Sequence, residues 1–131
     1  MNYMIREMRK EEYDLLEDFL YEAIFIPEGI SAPSKSIIMQ PGLQVYITDF
    51  GKRKDDIAFV AEIGGKVTGA VWARIMDDYG HIDDSTPSLA ISLYKEYRGR
   101  GMGTAMLQEM LSTLRQRGYE RTSLAVQKAN Y

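Results

Sequence analysis

The residues best suited to chemistry in this chain lie together in Arg98-Gly99-Arg100-Gly101-Met102-Gly103-Thr104. They follow the apolar stretch Leu89-Ala90-Ile91-Ser92-Leu93 and precede a run with helical spacing. The first turn of a helix carries N–H groups without partners inside the helix, and with the helix dipole they favour a phosphate. Glycines at 99, 101 and 103 remove side chains that would keep an anion from the backbone, and Arg98 and Arg100 add donors and positive charge. A pyrophosphate fits this arrangement better than a neutral ligand. A dinucleotide-binding loop would read G-x-G-x-x-G, with an acid about 20 residues on at the end of the next strand. Here the spacing is G-x-G-x-G, and Glu120 opens that strand. A phosphate loop of the Gly-Lys-Ser/Thr type is absent.

The elements that must position this loop can be read from periodicity. Ser88 to Tyr94 predicts a strand with Leu89, Ile91 and Leu93 on one face. From Thr104 to Arg117 the apolar positions Met106, Leu107, Met110, Leu111 and Leu114 predict a helix, with Gly118 where a C-terminal cap is expected. Glu120 to Val126 predicts a further strand, and this strand–helix–strand unit requires its two strands to be parallel. Upstream, 57–63 and 67–76 predict a hairpin turned by Gly64-Gly65, whose glycines accept positive φ. Tyr3 to Met8 predicts a short first strand, and Glu11 to Phe25 an amphipathic helix with acids in its first turn. A short helix is expected around Leu43 to Phe50, ended by Gly51. The expected fold class is α/β, with a mixed sheet in one domain spanning 1–131.

Bulk properties narrow the function classes. Of 131 residues, 45% are hydrophobic and 27% charged, and no apolar run is long enough to span a membrane. No membrane partner is expected. The start of the chain lacks the pattern of a signal peptide, and the absence of cysteine rules out disulfides, thiolate metal sites and a cysteine nucleophile. A cytoplasmic location and no metal are expected. The net charge of -3 is distributed unevenly: residues 1–30 carry -5, residues 31–91 carry -2 and residues 92–131 carry +4. An acidic chain without a broad basic face argues against nucleic acid as a partner.

Arg98-Gly99-Arg100-Gly101-Met102-Gly103 resembles the motif of the GNAT superfamily of N-acetyltransferases: Arg or Gln, two residues, Gly, any residue, then Gly or Ala. The flanking Tyr97 and Thr104-Ala105-Met106-Leu107 are similar as well, and Ser123 to Asn130 resembles that family's fifth strand and the asparagine after it. The resemblance implies a GNAT-like acyl-CoA N-acyltransferase fold, with acetyl-CoA as cosubstrate. Residues 99 to 104 would hold the pyrophosphate, with Arg98 beside them. The backbone of Ile91, Ser92 and Leu93 would hold the pantetheine arm, and Asn130 would hold the same arm farther along. It also implies transfer of the acetyl group straight to a primary amine of a small molecule or peptide, with a backbone N–H near Leu93 stabilising the oxyanion. A free alkylamine has a pKa of about 10.4, so a base must remove its proton. Glu28 in the long loop, and His81, Asp83 and Asp84 before the coenzyme-binding strand, are the candidates. Solvation alone would also account for each of them. Trp72 and the tyrosines at 21, 46, 79 and 94 suit either an acceptor pocket or core packing.

The family's tyrosine acid comes several residues after the asparagine matched by Asn130, whereas Tyr131 follows it directly. The resemblance therefore implies a C-terminally shortened fold without the usual last helix and strands. Such a chain is expected either to pair with a second copy along its last strand, as a homodimer, or to be part of a longer polypeptide. A non-catalytic acyl-CoA-binding or sensing module is the alternative function.

Overall fold

The computed structural model describes residues 3–23, 34–52, 56–75, 87–119 and 122–124, and its architecture grows outward from the hairpin expected at Gly64-Gly65. Both glycines adopt positive φ, 55° and 86°, as a tight reversal of this kind requires. They join β2 (Ile57–Ile63) to β3 (Lys66–Arg74). β1 (Met4–Glu7) pairs antiparallel with β2, and β4 (Ser88–Leu93) antiparallel with β3. β5 (Ser123–Leu124) pairs parallel with β4, Ser88 opposite Ser123 and Leu89 opposite Leu124. The sheet order is β1-β2-β3-β4-β5. The remainder of the strand expected at 120–126 lies outside the described residues.

Register breaks at one place. Ala61 faces Gly69 but Glu62 faces Val67, so Thr68 is an extra residue in β3. Its hydroxyl donates to Ala61 O at 3.1 Å, and its carbonyl accepts from Tyr94 N–H at 3.0 Å. This bulge bends β3 beside the end of β4, where the glycine loop departs.

Helices cover both faces of the sheet, which is why β2 and β3 read as nearly continuous apolar runs. On one face lies α1 (Leu15–Glu22), whose Leu16, Phe19 and Leu20 are buried. The chain enters it through a 3-10 turn at Lys10–Glu12, so the regular helix is shorter than the 11–25 expected from sequence. The cause is side-chain chemistry: Glu12 accepts from Arg9 N–H at 2.8 Å and from two Arg6 nitrogens at 2.9 and 2.8 Å. Those bonds fix the turn to β1.

The short helix expected at 43–50 is α2 (Pro41–Gln44), after a 3-10 turn at Lys35–Met39, and it passes into turns. Arg74 explains the stop, because it donates to Val45 O at 3.0 Å and to Thr48 O at 2.9 Å. On the other face α3 (Met102–Gln116) buries Met102, Met106, Met110 and Leu114 in one stripe at four-residue spacing. It ends at Gly118, φ 94°, with Gly118 N–H bonded to Arg115 O and Tyr119 N–H to Leu114 O, the paired bonds of a left-handed glycine cap.

Candidate coenzyme-binding site

The glycine loop is shaped by backbone conformation. Gly99 and Gly101 have φ of 77° and 83°, and a Cβ built on either would meet nothing within 4 Å. These two positions need glycine for their torsions, and the loop opens onto space. Gly101 serves as N-cap of α3 without offering a side chain, and the first helical bond runs from Ala105 N–H to Gly101 O at 3.1 Å. The amides of Met102, Gly103 and Thr104 precede that bond and have no acceptor one turn back in the helix. α3 therefore begins two residues earlier than its apolar spacing indicated, and Gly103 lies inside its first turn.

Leu93 supports that turn from below. A Cβ at Gly103 would lie 3.4 Å from Leu93 Cδ1, and one at Gly69 would lie 2.7 Å from Leu93 Cγ and 3.0 Å from Ser92 O. Gly69 thus has to lack a side chain for Leu93 to lie over β3. An isolated glycine inside a strand pattern signals a bulge or a close approach, and that signal was present in the sequence.

Alternation in β4 sends Leu89, Ile91 and Leu93 toward α3, and Ala90 and Tyr94 toward α1. Ser92 shares the α1 side: its hydroxyl donates to Phe19 O at 2.6 Å in a buried bond. The Tyr94 ring lies 4.8 Å from that of Phe19, and its hydroxyl is 3.4 Å from Asp18 Oδ2. Partial burial, reinforced by the Asp18 charge, pushes the Tyr94 phenol up from its ordinary value.

The two arginines of the loop differ in their surroundings. Arg100 is exposed, its guanidinium 5.7 Å from the centre of the Tyr97 ring, and Lys66 Nζ also lies 5.7 Å from that ring. Arg98 donates from Nε to Leu93 O at 3.0 Å and from Nη2 to Glu22 O at 3.0 Å, and it pairs with Glu22 Oε1 at 3.3 Å. Sequence alone showed no partner for Arg98, since Glu22 lies 76 residues away.

Trp72 is a core residue, 1% exposed, donating from Nε1 to Tyr46 O at 3.0 Å. Tyr46 is buried and Tyr21 packs at the edge of the same core. The base candidates Glu28, His81, Asp83 and Asp84, together with Tyr79 and Asn130, lie outside the described residues. Among the described residues no cluster of His, Asp or Glu is arranged to hold a metal ion, and no helix is long and apolar enough to cross a membrane.

A mixed sheet with one parallel pair among the described residues, and a glycine loop that leads from the first strand of that pair into a helix N-terminus, define an α/β domain built around a glycine-rich turn. The chain belongs to the GNAT acetyltransferase family, whose model matches residues 4–131. Solved structures of similar fold include a GCN5-related N-acetyltransferase from Ralstonia eutropha JMP134, with TM-score 0.70 and 18% identity over 98% of this chain and 86% of that one. An N-acetyltransferase from Staphylococcus aureus Mu50 gives TM-score 0.69 and 18% identity over 99% of this chain and 76% of that one. The PaiA N-acetyltransferase from Thermoplasma acidophilum, in complex with coenzyme A, gives TM-score 0.67 and 18% identity over 99% and 82%. At such identity the likeness establishes the fold. No curated protein matches the sequence.

Proposed function

We propose that this chain is an N-acetyltransferase that moves an acetyl group from acetyl-CoA directly to a primary amine of a small molecule or peptide. The observation that carries this reading is the set of three helix-start amides at Met102, Gly103 and Thr104, approached through two left-handed glycines with open space over them. Amides so placed suit the pyrophosphate of coenzyme A, with Arg100 supplying charge. The backbone of Ile91 to Leu93 runs toward this loop, where it would meet the pantetheine arm. Complexes of similar folds with coenzyme A, from Thermoplasma acidophilum, and with acetyl-CoA, from Brucella melitensis, support the choice of ligand.

The coenzyme supplies an activated thioester. The protein's own part is to align it, to exclude water and to take a proton from the amine. Glu28, His81 and Asp84 are the groups proposed for that proton, and Asn130 is proposed to hold the arm. No metal takes part in this scheme.

Two measurements test the reading on the purified chain. Titration with acetyl-CoA should show saturable binding, and a panel of amines should release free thiol. Absence of binding at millimolar coenzyme overturns the proposal. Binding without turnover on any amine would instead identify a coenzyme-sensing module.

A further inference from the structure

Arg98 opens the glycine loop, but its observed partners belong to the protein. Nε donates to the carbonyl of Leu93, the last residue of β4. Nη2 donates to the carbonyl of Glu22, the last residue of α1, and pairs with the same residue's carboxylate. Carbonyls at a helix C-terminus lack acceptor duty inside the helix, and a cation there complements the dipole. Ser92 makes a second tie between the same two elements through Phe19 O, and the Tyr94 ring adds apolar contact. The last turn of α1 is thus stitched to the end of β4, and Arg98 carries that seam into the loop. Leu93 completes the linkage: its carbonyl is held by Arg98, while its side chain lies between Gly69 and Gly103 beneath the first turn of α3.

We propose that Arg98 is a positioning residue that holds Leu93 and the end of α1 in place for the helix-start amides, and that it is not itself a phosphate ligand. This rests on the coenzyme reading above. A phosphate could take Nε or Nη2 only at the expense of Leu93 O or Glu22 O, so two of the three guanidinium nitrogens are committed to the seam. Arg100, exposed with its guanidinium 5.7 Å from the centre of the Tyr97 ring, supplies the charge instead.

Two substitutions at Arg98 separate charge from geometry. The amide nitrogen of glutamine stands as many bonds from Cα as arginine Nε does, so Arg98→Gln keeps a planar donor for Leu93 O and loses the charge. Arg98→Lys keeps the charge and loses that donor. Arg98→Gln also loses both contacts with Glu22, so calorimetric titration with acetyl-CoA is expected to show it up to about threefold weaker than the parent, and Arg98→Lys, which loses the Leu93 tie beneath the helix-start amides, about tenfold weaker. The reverse order overturns the proposal.

Glu22→Ala, at a partly exposed position where unfolding is not expected, gives a second and independent reading. It loosens the seam and should weaken acetyl-CoA binding; tighter binding would mean that Arg98 had been released to a phosphate, and would also overturn the proposal. Failure of the parent protein to bind acetyl-CoA defeats the functional reading itself, a different outcome from either pattern among the variants.

Discussion

The two faces of the sheet are held by different physics. Against α3 the core consists of methionine, leucine, isoleucine, valine, phenylalanine and alanine, with Met102, Met106, Met110 and Leu114 essentially inaccessible to water. Against α1 and α2 the core is comparably apolar but is also fastened by directed bonds: Trp72 Nε1 to Tyr46 O, Arg74 to Asp56, Val45 O and Thr48 O, and Ser92 Oγ to Phe19 O. Apolar packing fixes how far α3 stands from the sheet, and methionine adapts to irregular gaps. Directed bonds fix where α1 and the 34–52 segment sit along it. The difference suits the proposed function, in which backbone amides would hold the coenzyme and need only a helix of the right start and height.

The largest test of this contrast is Asp56→Ala. Arg74 and Asp56 pair through Nε–Oδ1 at 3.0 Å and Nη2–Oδ2 at 2.8 Å, with both side chains fully buried. Removing one partner of a buried pair leaves an uncompensated charge and costs about 3–5 kcal/mol. Asp56 also accepts from Gly51 N–H at 2.9 Å, so the turn after 45–50 should loosen as well. Denaturant unfolding should show this loss; a change within experimental scatter would mean that the directed bonds on this face are incidental.

The α3 face should respond to volume and hardly to chemistry. Met110→Ala is expected to cost about 2–5 kcal/mol through the cavity it leaves. Met110→Leu, which conserves volume, should cost less than about 1.5 kcal/mol. Chemical denaturation of the two variants checks the ratio. Equal losses would show that methionine is specified here by more than packing.

Much of this arrangement was legible in the residues themselves. Gly64-Gly65 announced the hairpin, the spacing of Met106, Met110 and Leu114 announced α3, and Gly118 its end, because each rests on local torsion or periodicity. The glycine loop was visible for the same reason. What escaped depends on contacts between distant segments. The acids of the first helix were legible only as charge on that helix, yet Glu12 binds Arg6 and Glu22 binds Arg98. Arg74 ended a helix whose apolar positions continued, by taking carbonyls from 29 and 26 residues away. The start of α3 was placed late because its cap is a glycine in the left-handed region, with no capping side chain to mark it.

A more modest loss is expected from Ser92→Ala, which removes the shorter of two bonds to Phe19 O and leaves the one from Ala23 N–H at 3.0 Å. The cost should be about 0.5–1.5 kcal/mol, the net worth of one hydrogen bond. Amide exchange should localise the effect to the last turn of α1, leaving α3 protected. Loss of protection in both helices alike would mean that the two faces are not independently fastened.

The smallest effect belongs to a half-buried fastener at the sheet's edge, where β1 meets the turn before α1. Arg6 donates to both carboxylate oxygens of Glu12 and, from Nε, to Glu62 at 2.9 Å. The hydrogen bonds from Arg6 hold the Glu12 carboxyl down to about 2 from its ordinary 4.5, against the opposing effect of burial, and the same bonds push Arg6 further up. A carboxyl depressed in the folded state binds fewer protons there than in the unfolded chain, so the stabilisation is complete above the unfolded value. It is lost as pH falls from about 4.5 toward about 2. Glu12→Gln removes the titrating group, and its stability should therefore fall less steeply than the parent's over that acid window. At neutral pH it should be less stable than the parent by a margin that narrows as acid is added. Thermal melts across the window compare the two slopes. Parallel curves would show that Glu12 gains nothing from Arg6 on folding, and that this edge of the α1 face is held by packing alone.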